Sequence, residues 1–210
     1  MIRLPEPALE GALSVETALR YRRSGRDYAA KPLGLAALSQ LLWAAQGITN
    51  RQGDRTAPSA GALFPLELYV AAGEVGELET GIYKYVPRGH QLAEHADVDV
   101  RAKLASLAWR QTWVKDAPAI LVFTTVAARV TDEYGSDGIR YVYMEVGHAA
   151  QNVHLQAVAL DLATCVVGAL DAPQVTKTLA LAPDEVPEVL MPVAYPKRKP
   201  RRRVSPPKRV

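Results

Sequence analysis

The chain has 210 residues, of which 49% are hydrophobic and 22% charged, a globular composition with enough apolar mass for a substantial core. No apolar run reaches the roughly 20 residues of a bilayer-spanning helix, and the single cysteine, Cys165, cannot build an internal disulfide framework. Of the net charge of +3, eight positive charges fall in residues 197–210, which hold no acid, so the rest of the chain stands at −5 and the basic character belongs to the tail.

Residues 1–13 read as an N-terminal extension without the continuous apolar segment of a signal peptide. The expected compartment is the cytoplasm. Ser14 is a plausible N-cap with Glu16 in the first turn, and Val15, Ala18, Leu19 and Arg22 share a face at helical spacing. This helix delivers the cluster Arg22-Arg23-Ser24-Gly25-Arg26 to its end and the following turn, where Gly25 is able to take a positive φ. Arginine forks bind phosphate oxygens in pairs, and a serine hydroxyl adds a neutral donor. The same cluster could also be a solvated helix end.

Leu35 to Gln46 repeats leucine at helical spacing and stops at Gly47. Residues 50–66 are rich in turn formers, and at their centre stands Ala57-Pro58-Ser59-Ala60-Gly61-Ala62. There Pro58 stiffens the entry, and small side chains allow close approach to the backbone. Leu66–Ala72 and Gly81–Val86 read as strands, with Pro87-Arg88-Gly89-His90 turning the chain back. Val98 to Trp113 is helical in composition. Ala119–Ala127 is apolar throughout, as a strand covered on both faces would be.

Arg129 to Arg140 reads as a loop or lid, and Tyr141 to Ala163 as the longest helix. Cys165–Ala169 is expected to be a short extended segment with a buried thiol. Gln174–Leu181 reads as a short helix, and Val186–Ala194 as a last strand that Pro192 confines to an edge or bulge. Residues 14–196 thus form one domain, and 197–210 a basic tail. No aromatic residue interleaves that tail, so bases would find no stacking platform there.

Several chemistries lack their residues. Ser59 has no nucleophile-elbow glycine before it, the four histidines have no metal-ligand spacing, and there is neither a Walker loop nor a Gly-x-Gly-x-x-Gly. His148 reads as a packed or interface residue.

Arg22–Arg26, Pro58-Ser59-Ala60-Gly61-Ala62-Leu63-Phe64-Pro65-Leu66-Glu67-Leu68-Tyr69, Gly147-His148-Ala149-Ala150-Gln151-Asn152, Val166-Val167-Gly168-Ala169 and Val189-Leu190-Met191-Pro192-Val193-Ala194-Tyr195-Pro196 occur in the order found in the nitroreductase family. The chain most resembles its SagB/ThcOx-type branch, which includes azoline dehydrogenases. The resemblance implies an α+β fold, with a mostly antiparallel central sheet flanked by helices, in an intertwined homodimer that binds FMN at its interface. By that likeness Arg22, Ser24 and Arg26 hold the phosphate and ribityl chain, with Arg23 beside them. Pro58, Ser59, Ala60 and Gly61 contact the flavin from the other subunit, and Val167 and Gly168 lie near its reactive nitrogen. A tail residue among Arg198, Arg201, Arg202 and Arg203 reaches the phosphate.

The implied reaction carries hydride from NAD(P)H through FMN to a small acceptor such as a nitro compound or quinone, with the protein orienting the cofactor. The chain departs from the pattern twice. Ala62 stands where relatives often carry an amide side chain, and Glu133-Tyr134 stands where azoline-oxidising relatives carry Lys-Tyr, leaving Tyr134 as the candidate catalytic residue without a lysine to lower its pKa. Two alternatives follow: oxidation of an azoline or peptide-derived heterocycle, or a non-catalytic flavin-binding protein whose basic tail contacts nucleic acid.

Overall fold

The computed structural model describes residues 1–109 and 111–198. Seven strands form one antiparallel sheet: β1 (Ile2–Arg3), β2 (Leu66–Ala72), β3 (Gly81–Val86), β4 (Gln91–Ala96), β5 (Ala119–Thr125), β6 (Ala163–Thr164) and β7 (Val186–Ala194), in the order β1-β4-β3-β2-β5-β7-β6. The helices are α1 (Val15–Tyr21), α2 (Leu35–Gln46), α3 (Arg101–Leu107), α4 (Ala128–Tyr134), α5 (Gly138–Ala159) and α6 (Ala172–Thr178). This is the α+β architecture expected from the sequence.

Strand alternation divides the apolar residues between two cores. Leu68, Val70, Ala72, Leu121 and Phe123 face a layer built with α2 and α5. Tyr69, Ala71, Ile120 and Val122 face the opposite layer, with Leu104 of α3 and Val175 of α6. Every residue of β5 is buried, which explains why its sequence is continuously apolar. Truncating Phe123 to alanine would remove about 3–5 kcal/mol. Residues 2–8 join the fold: Leu4 is buried, Ser39 donates to Pro5 O (2.6 Å), and Gln40 exchanges two hydrogen bonds with the Ala8 backbone.

Several elements differ from the sequence reading. The helix expected over 98–113 is shorter, Arg101–Leu107, followed by a left-handed Trp109 (φ 41°) and a 3₁₀ turn over Thr112–Asp116. The expected loop 129–140 holds α4, a 3₁₀ turn and the start of α5. Of the two glycines there, only one interrupts the helices. Gly135 (φ 58°) separates the helices, whereas Gly138 lies inside α5, where a Cβ would sit 3.0 Å from the Thr131 backbone. Helix α5 ends earlier than expected, before the left-handed Asp161 (φ 57°).

The second short helix begins two residues early because Asp171 caps it, accepting from the Gln174 N–H (3.1 Å). Gly25 does not take a positive φ, and neither does Gly47. Both are glycine for close packing. A Cβ on Gly25 would stand 2.7 Å from that of Ala163, and one on Gly47 would overlap the Trp43 ring. Strand β7 carries Pro192 opposite Ile120 of β5, and among the described residues its outer edge pairs with two-residue β6 and with Val167 through a bridge at Leu190.

Candidate functional site

Helix α1 opens at Ser14, whose hydroxyl accepts from the Thr17 N–H (3.2 Å), and closes at Arg22, whose backbone is already extended (φ −57°, ψ 121°). Extension makes the next side chains alternate, so the arginine cluster divides. Arg22 lines a cleft along α5, while Arg23, Gly25 and Asp27 line another cavity with Tyr21 and Arg198. The Arg23 guanidinium turns back and donates to Arg20 O (3.1 Å) and Arg22 O (2.7 Å). It neutralises the negative end of the helix. Arg26 lies with its guanidinium 5.7 Å from the Trp113 ring centre, and Ser24 is exposed. Arg201 and Arg203, with Arg202, lie outside the described residues.

The cleft beside Arg22 has a volume of about 470 Å³. Its long wall is α5, which contributes Tyr143, Val146, Gly147, Ala150, Gln151 and His154; Val166, Glu188 and Val189 close the other side. Gly147 and Ala150 hollow the helix face, and a Cβ added to Gly147 would meet nothing within 4 Å. A flat ring can therefore approach the helix closely here.

Of the Val167–Gly168 pair, Val167 is buried and its N–H already donates to Leu190 O (2.9 Å). Gly168 is exposed, and its N–H donates to no other described residue. Thr164, whose carbonyl accepts from Gly25 N–H (2.9 Å), keeps its buried hydroxyl unpaired among the described residues. His154 is 6% exposed, and burial together with the neighbouring Arg22 charge lowers its pKa to about 4. Its ring is neutral at ordinary pH.

Residues 58–61 do not line this cleft. They form a tight turn of their own, with Gly61 (φ 60°), Ala62 (φ 53°) and Phe64 (φ 48°) all in the left-handed region. Left-handed non-glycine residues cost on the order of 1–2 kcal/mol each, so surrounding contacts must hold the turn. Ser59 Oγ accepts from Phe64 N–H (2.9 Å), Arg129 donates to Phe64 O (2.9 Å), and the Arg55 guanidinium stacks 4.2 Å from the Phe64 ring centre.

Beneath the turn lies Glu145 of α5, 2% exposed. Burial raises its pKa against the opposing pull of Ser59, Arg55, the Leu66 N–H and Gln46. Arg55 donates to Gln46 Oε1 (2.6 Å), while Gln46 Nε2 and Glu145 Oε1 have no direct hydrogen bond among the described residues. Tyr134, at the end of α4, rests on the turn: a Cβ on Gly61 would stand 2.8 Å from its hydroxyl. Its ring meets Tyr141 edge-on at 5.3 Å.

The Arg22 cleft and the Gly61 turn with Tyr134 are thus two distinct features of one chain. Glu145 and His154 escaped the sequence reading. The available signal was the same for both, a titratable residue on the buried stripe of an otherwise apolar helix. The residues present fit a flavin mononucleotide. Arg22 offers a guanidinium for a phosphate, Gly147 and Ala150 leave a hollow for a ring, and the neutral imidazole of His154 can bind polar atoms.

A seven-stranded antiparallel sheet flanked by helices thus carries the cleft along its longest helix. The nitroreductase family pattern matches residues 19–195, and the chain belongs to that family. It is 43% identical over 181 residues to MJ1384 of Methanocaldococcus jannaschii, provisionally named a nitroreductase, covering 86% of this chain and 90% of that one. A crystal structure from Ralstonia eutropha, provisionally named likewise, superposes with a TM-score of 0.82 at 29% identity, covering 94% and 90% of the two chains. The NADPH:FMN oxidoreductase of Vibrio harveyi, solved with NAD+, shares the fold at a TM-score of 0.65 and 20% identity, over 92% and 72%. No described helix is long and apolar enough to cross a membrane.

Proposed function

We propose that this protein is a cytoplasmic, homodimeric, FMN-dependent oxidoreductase that passes hydride from NAD(P)H to a small organic acceptor such as a nitro compound or quinone. The observation that carries this reading is the α5 cleft, where Arg22 and the helix face hollowed at Gly147 and Ala150 line one cavity. Bound FMN would supply reversible two-electron chemistry. Arg22, with Ser24 and Arg26 from the same extended segment, would hold the phosphate, and Arg198, Arg201 or Arg203 could reach it from the tail. Gly147 and Ala150 would receive the ring, and Gly168 N–H would donate to its edge.

The Gly61 turn supports the dimer. Pro58, Ser59, Ala60 and Gly61 form a preorganised surface away from their own chain's cleft, suited to covering the cleft of a second subunit. Small acceptors suit a site whose side chains position and exclude water rather than perform acid–base chemistry.

The test is an absorption spectrum. Purified protein reconstituted with FMN should show bound-flavin bands that NADH or NADPH bleaches under anaerobic conditions. Protein that takes up no FMN overturns the assignment.

A second reading, oxidation of an azoline or related heterocycle, is favoured by the Tyr134 hydroxyl resting on Gly61. There it could exchange a proton with a substrate lying over the turn. Under this reading Tyr134→Phe abolishes heterocycle oxidation while FMN stays bound. Unchanged turnover would remove Tyr134 from the chemistry.

A further inference from the structure

Among the polar side chains of the α5 cleft, His154 stands apart. Glu188 is engaged by the Thr125 hydroxyl (2.7 Å), Tyr143 is exposed, and Gln151 and Arg22 are half-buried. His154 is more than nine-tenths buried, lines the cleft, and its ring makes no hydrogen bond to any described residue. Its ring nitrogens are not among the enclosed, unpartnered atoms of the described residues, so they open onto the cleft, where a ligand can reach them.

The position of His154 narrows that partner. It shares the cleft with Arg22, and Gly147 lies seven residues earlier on the same helix face, about 10 Å along the axis. A ligand with its phosphate on Arg22 and its ring at Gly147 lays its connecting chain across His154. The chemistry agrees. Kept neutral by burial and by Arg22, the imidazole presents one donor and one acceptor, the complement of a hydroxyl. A phosphate takes donors only, and the arginine supplies those.

We propose that His154 binds a hydroxyl of the polyol chain joining the flavin ring to its phosphate, an assignment that rests on the flavin reading above. His154 is then a cofactor-binding residue that selects a ribityl-bearing flavin over the bare ring. No proton is transferred.

The test compares three probes by equilibrium titration of flavin fluorescence: FMN, riboflavin, which lacks the phosphate, and lumiflavin, which lacks the polyol as well. His154→Leu keeps the volume and loses both polar nitrogens, whereas His154→Gln restores a donor and an acceptor. Losing one such hydrogen bond corresponds to about tenfold in affinity. The expected result is a weakening of both FMN and riboflavin by about that factor in His154→Leu, unchanged lumiflavin binding, and recovery of most of the loss by His154→Gln.

FMN weakened with riboflavin unaffected would mean that His154 acts only through Arg22 and the phosphate, and would overturn the proposal. So would equal binding of all three probes by wild type and both variants. Should His154→Leu fail to fold, a second variant without polar nitrogens, His154→Met, takes its place, and His154→Gln binding FMN no better than His154→Met overturns the proposal equally. Wild-type protein that binds none of the three probes overturns the flavin assignment itself, an outcome distinct from any difference between variants.

Discussion

At the scale of single residues, the candidate site is held by groups that do not face solvent. Glu145 is buried among donors: the Ser59 hydroxyl, the Leu66 N–H and the Gln46 amide, with Arg55 beyond. Each of these neighbours favours the charged carboxylate against the cost of its burial, whereas an amide would turn an N–H₂ toward other donors. Glu145→Gln is therefore expected to destabilise the protein by about 1–3 kcal/mol. It should also raise hydrogen-exchange rates at Phe64 and Leu66 more than in α2 or β5. Uniform protection across the protein would show that the turn holds its left-handed backbone without Glu145. The arginine cluster was visible in the sequence because repeated charges beside small residues stand out in a short window. Its division into Arg22 on one side and Arg23 on the other was not, since that depends on where α1 stops and the chain becomes extended.

At the scale of elements, boundaries follow packing as much as local preference. Strands β2, β3 and β7 begin and end where their apolar runs do, because burial on the two sheet faces leaves few other solutions. Helices α3 and α4 differ from expectation because their ends are decided by contacts and left-handed stops that composition does not encode. Gly25 illustrates the point most directly. It is a glycine because β6 passes against it, with Gly25 N–H bound to Thr164 O (2.9 Å) and no room for a Cβ beside Ala163. Gly25→Ala should lower the midpoint of thermal unfolding and displace the extended segment that carries Arg22, Ser24 and Arg26. Adding Ala163→Gly should restore much of the loss. Absence of rescue would mean that the glycine serves the backbone rather than the packing.

At the scale of the whole molecule, the proposed dimer would set the Gly61 turn of one subunit against the Arg22 cleft of the other. The outer face of α5 leaves Ile139, Tyr143 and Met144 exposed (39%, 58% and 50%), the kind of apolar surface that a partner covers. Light scattering should give twice the chain mass. Met144→Glu and Ile139→Glu should shift the protein toward monomer and reduce FMN uptake together, since each cleft would lose its neighbour's turn. A monomeric variant with full FMN affinity would assign the whole cofactor site to one chain.

The sequence by itself determined the layered fold, the family and the types of residue available to a phosphate-bearing ring, because strand alternation, helical spacing and motif order are all written within short stretches. Only the tertiary structure decided that Arg22 enters the cleft while Arg23 closes a helix, that Tyr134 rests on Gly61, and that Glu145 lies beneath the turn and His154 in the wall of the cleft. Those outcomes depend on which distant backbone a side chain meets, and that distance is set by packing rather than by position along the chain.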